Sequence, residues 1–208
     1  MNKLPLLFFG IFLTFASAWA GLVAYPYLRL GRMQPLVDET SGDLLPPPLS
    51  GTADAGQRVY AANGCIYCHS QQVRPAYLST DIKKGLGPRR TVARDYMRSR
   101  PAFLGTMRTG PDLTNVGLRY TAEWQHRHLY EPAEVSKGSI MPAFRYLYRM
   151  QKIQGRPSEN ALKGLTGPYA PQPGYEVVPT PEAEALVAYL LSLRRDYPLP
   201  EAPEEEIP

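Results

Sequence analysis

The stretch GCIYCHS, residues 64–70, holds both cysteines of the 208-residue chain and one of its three histidines. The order C-x-x-C-H is the attachment signature of c-type haem. In such sites the two thiols are bonded to the cofactor as thioethers, and the imidazole that follows binds the iron. The pattern therefore predicts one haem c, covalent through Cys65 and Cys68, with His69 as an axial ligand of the iron.

Other chemistry of two thiols and an imidazole fits the chain less well. A structural zinc site needs four cysteine or histidine ligands. The remaining histidines, His126 and His128, are two positions apart, so a helix would point them in different directions. A redox dithiol is expected within a βαβ pattern, which the sequence does not show. A disulfide across two intervening residues would close a very small loop and stabilise the fold little.

The second axial ligand has to come from elsewhere in the chain. Methionine and histidine are the usual choices for electron transfer, whereas an open position suits catalysis or gas binding. Of the six methionines, we expect Met141 to be the ligand, because it lies in a loop whose backbone is restricted by Pro142. Met107 is the next candidate, followed by His126 or His128. Core packing is the ordinary role of a lone methionine.

The N-terminal segment is strongly apolar. Residues 4–28 contain no charged side chain, and as a helix these 25 residues would reach about 37 Å. That length is enough to cross a hydrocarbon core of about 30 Å. A cleaved signal peptide is the alternative, since small-residue cleavage patterns occur within residues 16–20. Because the apolar run continues past them, we expect a retained membrane anchor.

The composition predicts four segments in chain order: a transmembrane anchor (1–28), a Pro-rich linker (29–53), a mono-haem domain (54–196) and an acidic Pro-rich tail (197–208). The tail is expected to be disordered or held by a partner. The formal net charge of +4 gives no reason to expect a nucleic-acid partner.

Three helices are expected in the haem domain. One runs from about residue 53 to residue 64, one begins after Thr121 and ends before Pro132, and one begins after Thr180. Both threonines are suitable helix caps. Residues 150–180 are rich in glycine and proline and are expected to be irregular.

A basic segment, residues 74–108, carries nine lysines and arginines against two aspartates. Its cations could neutralise haem propionates, contact a partner subunit through residues such as Arg89 and Arg90, or face anionic lipid headgroups. A plain solvated loop is the remaining alternative. The sequence leaves these roles open.

Taken together, the chain resembles a class I cytochrome c: a helix before C-x-x-C-H, a Gly-Pro turn, a methionine loop and a C-terminal helix. The resemblance implies a mainly α fold, with one N-terminal transmembrane helix and a class I cytochrome c-like domain that has long irregular insertions. It also implies that the Pro111 carbonyl accepts a hydrogen bond from His69, which fixes the imidazole.

A closer resemblance is to subunit II of cbb3-type cytochrome c oxidases, the membrane-anchored mono-haem subunit. The stretches that carry it are GCIYCHSQQVRP (64–75), RTGPDLTNVGLRY (108–120), EWQHRHLYEP (123–132) and SIMPAF (139–144). The chain departs from the commoner pattern between residues 76 and 107 and again after residue 156. These departures weaken what the resemblance implies about partner contacts more than what it implies about the haem site.

This resemblance implies an electron-transfer subunit that is not itself catalytic. Electrons would enter from another c-type cytochrome subunit or a soluble cytochrome c, and leave for a catalytic subunit with b haems and copper that reduces O₂. It further implies a single span in the bacterial inner membrane, with the N-terminus cytoplasmic and the haem domain periplasmic. The alternatives are the mono-haem subunit of a nitric oxide reductase and, from a different class, a membrane-anchored haem peroxidase or gas sensor.

Overall fold

The computed structural model of the chain describes residues 3–204. The chain divides into two compact units between Pro46 and Pro47. This boundary lies within the segment that the composition predicts to be a linker. The second unit contains the C-x-x-C-H stretch, the Gly-Pro turn and the methionine loop.

The first unit begins with a continuous apolar helix, Leu4–Leu30, whose 27 residues span about 40 Å. It consists of α1 (Leu4–Trp19), a π-helical turn (Ala20–Ala24) and α2 (Tyr25–Leu30). The π turn has a local cause, because Pro26 has no N–H to donate and its ring crowds the preceding turn. The expected apolar helix is confirmed, and by length and composition it is able to span a membrane.

A short antiparallel ribbon completes this unit. Strand β1 (Leu36–Val37) pairs with β2 (Leu44–Leu45). The turn between them is stabilised by Asp38, whose carboxylate accepts the backbone N–H of Thr40 at 2.8 Å.

The second unit is mainly helical, as expected. Its helices are α3 (Gly51–Ala62), α4 (Ala122–Tyr130), α5 (Pro132–Val135) and α6 (Pro181–Ser192). The three longer helices each begin with a hydroxyl cap: the side chains of Ser50, Thr121 and Thr180 accept the N–H three residues on. Two of these caps are the threonines singled out in the sequence.

Helices α3 and α6 form the centre of the domain core. A Cβ built on Gly56 of α3 would lie 1.8 Å from the backbone oxygen of Ala185 in α6, so only glycine permits this approach. Beside the crossing, the fully buried rings of Tyr60 and Tyr189 meet edge to face at 5.4 Å. The crossing thus fixes the helix that leads directly into the C-x-x-C-H stretch.

The segment expected to be irregular contains a hairpin at its ends. Strand β3 (Tyr148–Lys152) pairs antiparallel with β4 (Tyr175–Pro179), placing Met150 opposite Val177. The expectation of an irregular segment was wrong there, because Val177 and Val178 are buried and stabilise a strand despite the nearby glycines and prolines.

The start of the acidic tail, residues 197–204, is packed on the domain, which differs from the expectation of a disordered or partner-held segment; residues 205–208 of that predicted segment lie outside the described residues. Leu199 and Ala202 are buried, and the carboxylate of Glu201 forms an ion pair with Arg94. The basic segment therefore supplies a partner for the tail within the same chain. Composition alone could not indicate this, because the contact joins residues about a hundred positions apart.

We predict that Gly56→Ala lowers the free energy of unfolding by about 3 kcal/mol, because the added methyl forces α3 away from α6. The measurement is chemical denaturation of the purified chain. Gly51→Ala is the matched control, since it lies in the same helix with open space around its Cβ position. We expect it to change stability by less than about 0.5 kcal/mol; equal effects for the two variants would contradict the account of the crossing.

Candidate haem site

A cavity of about 440 Å³ lies in the second unit, and every residue predicted for the haem site lines it. These residues are Cys65, Cys68, His69, Pro111 and Met141. They come from three separate loops that the sequence places up to about seventy residues apart. Much of the remaining wall is apolar and is contributed by Leu113, Val116, Leu129, Leu186 and Leu190.

The two cysteines are positioned by a tight turn at the end of α3. Gly64 adopts a left-handed conformation with φ of 67°, which glycine permits without steric cost. A single turn of 3₁₀ helix, Cys65–Tyr67, follows, and the backbone N–H groups of Cys68 and His69 both donate to the Cys65 carbonyl. Cys65 is half-buried and Cys68 is exposed. Burial raises the pKa of the Cys65 thiol to about 11, so this thiol is protonated at neutral pH.

His69 is held by the Gly-Pro turn, as the resemblance implies. Its Nδ1 lies 2.7 Å from the Pro111 carbonyl oxygen, which accepts the ring N–H. Burial lowers the pKa of His69, although the Pro111 carbonyl and the Asp112 charge act in the opposite direction. The imidazole is therefore neutral at pH 7, with its proton on Nδ1 and a lone pair on Nε2 for a metal.

Gly110 packs directly against this imidazole. Its N–H donates to the Cys68 carbonyl at 2.9 Å. A Cβ at this position would lie 2.3 Å from Cε1 of His69, which is far inside van der Waals contact. Gly110 therefore allows the turn to lie against the imidazole, and Pro111 provides the carbonyl that accepts its hydrogen bond.

Among residues 3–204, Met141 is the methionine that lines the cavity. It is half-buried against the hydrophobic core, and its N–H donates to the Ser139 hydroxyl at 3.2 Å. The loop is also tied to α4, because the Phe144 N–H donates to the Leu129 carbonyl at 2.8 Å. By contrast, the other candidate, Met107, is 59% exposed and does not line the cavity.

The two histidines of α4 have different surroundings. His126 lies next to the hydroxyl of Tyr148, at 3.2 Å, and 3.6 Å from the carboxylate of Glu184. His128 lines the cavity, and its ring stacks on Trp124 at a centroid distance of 4.6 Å. Burial, with a smaller contribution from His69, lowers the pKa of His128 to about 4. His128 is thus the histidine of this pair that has access to the cavity.

Sequence reasoning missed the part of this wall that α4 contributes, including Trp124 and Gln125. With His128 and Leu129 they form i, i+4 pairs on one face of α4. That spacing was available in the sequence and could have identified the face of α4 that lines the cavity.

The cavity fits a haem by the chemistry of its lining. Within residues 3–204, the amide nitrogen of Gln125 is buried without a hydrogen-bond partner, although this side chain is 3% exposed and lines the cavity. Buried donors are almost always paired in native proteins. A haem would supply propionate carboxylates as acceptors and would cover the apolar walls. An imidazole and a thioether in the same cavity are its usual axial ligands.

The comparison with protein families decides the identity. A family model described as cytochrome c oxidase, mono-heme subunit/FixO, matches residues 8–173. The chain belongs to this family. It is accordingly a mono-haem cytochrome c oxidase subunit, involved in electron transfer, with haem as its cofactor. The resemblance to subunit II of the cbb3-type oxidases is confirmed, while no curated protein matches the chain.

We predict that Gly110→Ala in this oxidase subunit prevents normal haem attachment, because the methyl group would displace the His69 ring. The measurement is haem staining of the full-length protein on a denaturing gel, together with its reduced absorption spectrum. Gly51→Ala should retain wild-type haem content, since nothing lies within 4 Å of its Cβ position. Full haem content and an unchanged spectrum in Gly110→Ala would show that the approach of the turn is not required.

Proposed function

We propose that this subunit relays electrons, through one haem attached covalently to Cys65 and Cys68, to an oxidase subunit that contains b haems and copper and reduces O₂. The observation that carries the proposal is the presence of His69 and Met141 in the wall of one cavity, beside the two thiols. A haem bound there would supply a one-electron couple. The family match supports the oxidase over the nitric oxide reductase.

The chain's own residues have separate roles in this proposal. Cys65 and Cys68 tether the cofactor, and His69 offers a neutral imidazole whose orientation is fixed by the Pro111 carbonyl. Met141 offers a thioether, which is expected to raise the reduction potential. Because both axial positions would be occupied, the site is suited to electron transfer rather than to peroxidase chemistry or gas sensing.

The partners and the location follow from the same proposal. The apolar helix Leu4–Leu30 would anchor the chain in the bacterial inner membrane by a single span, in contact with lipid. We infer a cytoplasmic N-terminus and a periplasmic haem domain, because c-type haem is attached on the periplasmic side. The electron donor would be another c-type cytochrome subunit of the complex or a soluble cytochrome c.

We predict that Met141→Leu abolishes the weak long-wavelength band that a thioether ligand gives to ferric haem, and lowers the reduction potential. The measurement is the absorption spectrum of the oxidised full-length protein, followed by a redox titration. Met107→Leu is the matched control, since this exposed methionine lies outside the cavity and should change neither property. An intact band in Met141→Leu would overturn the ligand assignment and point to another methionine, of which Met107 is the next candidate.

A second test concerns the catalytic partner. We expect the native complex, purified from membranes through a tag on this subunit, to contain copper and b-type haem. Metal analysis and a haem extraction assay measure both. A complex with non-haem iron and no copper would instead identify a nitric oxide reductase subunit.

A further inference from the structure

A cluster of charged side chains adjoins the His69–Pro111 contact, and its centre is the half-buried Arg108. The guanidinium donates to both carboxylate oxygens of Asp81, at 2.6 and 2.7 Å, to the Ser70 hydroxyl at 2.7 Å, and to the Gln72 carbonyl at 2.6 Å. Asp81 is 3% exposed. One cation of the basic segment is thus engaged within the chain and holds the stretch that follows His69.

Asp112 is the second charged member of the cluster. This residue is 1% exposed, and its carboxylate accepts the Ser70 hydroxyl at 2.6 Å and the Gln72 N–H at 2.9 Å. It also accepts the N–H of Thr114 at 2.9 Å, and it lies 3.6 Å from the Arg108 guanidinium. A carboxylate buried to this degree is stable only with such donors and a nearby cation.

The cluster is adjacent to both ends of the imidazole hydrogen bond. Ser70 follows His69 in the chain, and Asp112 follows Pro111. The Ser70–Asp112 hydrogen bond therefore runs beside the His69–Pro111 hydrogen bond, one residue further along each loop. The backbone strengthens this junction, since the Leu113 N–H donates to the Ser70 carbonyl at 2.8 Å. Arg108 and Asp112 both form hydrogen bonds with Ser70, which is bonded to His69. A substitution of either residue would therefore disturb the backbone on which the imidazole is held.

We propose that Arg108 and Asp112 are positioning residues that set the reduction potential of the haem by holding the His69–Pro111 hydrogen bond and by placing opposing fixed charges behind His69. The inference rests on the proposed ligation of the iron by His69. A buried negative charge near the iron favours the ferric state, whereas the neighbouring guanidinium opposes it. Loss of each charge is therefore expected to move the potential in opposite directions.

The same basic segment contains a matched control. Arg89 and Asp95 form a bidentate ion pair at 2.9 and 3.0 Å, with side chains 1% or less exposed. The remaining hydrogen bonds of Arg89 go to the carbonyls of Tyr197 and Arg90. Neither member of the pair lines the cavity or adjoins a proposed ligand. This pair thus provides the same charges, with an arginine more deeply buried than Arg108, but without the connection to His69.

The experiment uses redox titration of the full-length haem-loaded subunit with Arg108→Gln, Asp112→Asn and Arg89→Gln. We expect Arg108→Gln to lower the midpoint potential and Asp112→Asn to raise it. At a fixed electrode potential near the wild-type midpoint, the ferric fraction should therefore rise in the first variant and fall in the second. Arg89→Gln should destabilise the fold but leave the midpoint unchanged.

A neutral variant isolates the positioning role. Ser70→Ala removes the hydroxyl between Arg108 and Asp112 without changing any charge. We expect the His69 Nδ1–H, followed by NMR in the reduced protein, to exchange with solvent at least tenfold faster than in wild type. Arg108→Lys, which keeps the charge but loses the fork geometry, should accelerate exchange while shifting the potential less than Arg108→Gln.

The inference is overturned if Arg108→Gln and Asp112→Asn shift the midpoint in the same direction, or by no more than Arg89→Gln. An unchanged rate of His69 Nδ1–H exchange in Ser70→Ala would overturn the claim that the cluster positions the imidazole. If Arg108→Gln does not fold, Asp112→Asn carries the charge test, and a midpoint that does not rise by more than in Arg89→Lys overturns the inference. Arg108→Lys and Ser70→Ala then test the positioning role through the exchange of the His69 Nδ1–H. A wild-type spectrum without an imidazole ligand would contradict the proposed function itself, and the inference would fail with it.

Discussion

The hydrogen bond from His69 to the Pro111 carbonyl is the contact on which the rest of the site depends. It joins the end of the C-x-x-C-H turn to a loop forty-two residues further along the chain and leaves one ring nitrogen with a free lone pair. Gly110 makes the approach possible, because any side chain at this position would occupy the space of the imidazole. A neutral, oriented imidazole is what an axial ligand requires, so the architecture around it can be understood as support for this one contact.

That support has two layers. The crossing of α3 and α6, made close by Gly56, fixes the end of α3 from which the cysteine turn begins. The cluster of Arg108, Asp81 and Asp112 joins the segment that follows His69 to the loop that contains Pro111, through hydrogen bonds made by charged side chains. The basic segment thus has an internal role that its charge did not reveal: Arg89, which the sequence suggested as a partner contact, is buried against Asp95 in the same chain.

The features predicted successfully from the sequence were local ones. Threonine caps, the proline-limited helices and the uncharged N-terminal run follow from a few neighbouring residues, and the structure has the corresponding helices. The features missed depend on distant partners. The β3–β4 hairpin pairs residues across a long loop, and Glu201 of the tail forms an ion pair with Arg94, about a hundred positions earlier. For the site, the C-x-x-C-H motif indicated Cys65, Cys68 and His69, and the proline-restricted loop indicated Met141, but only the fold brings Met141 and Gln125 to the same cavity as His69.

The central claim is that the cavity holds one haem between the His69 imidazole and the Met141 thioether. Iron-edge X-ray absorption of the reduced full-length subunit measures the ligand atoms directly. The account predicts a nitrogen shell together with one sulfur ligand, and predicts that the sulfur is lost in Met141→Leu. A shell of nitrogens alone in the wild-type protein would contradict it, and would point to His128, the other histidine that lines the cavity.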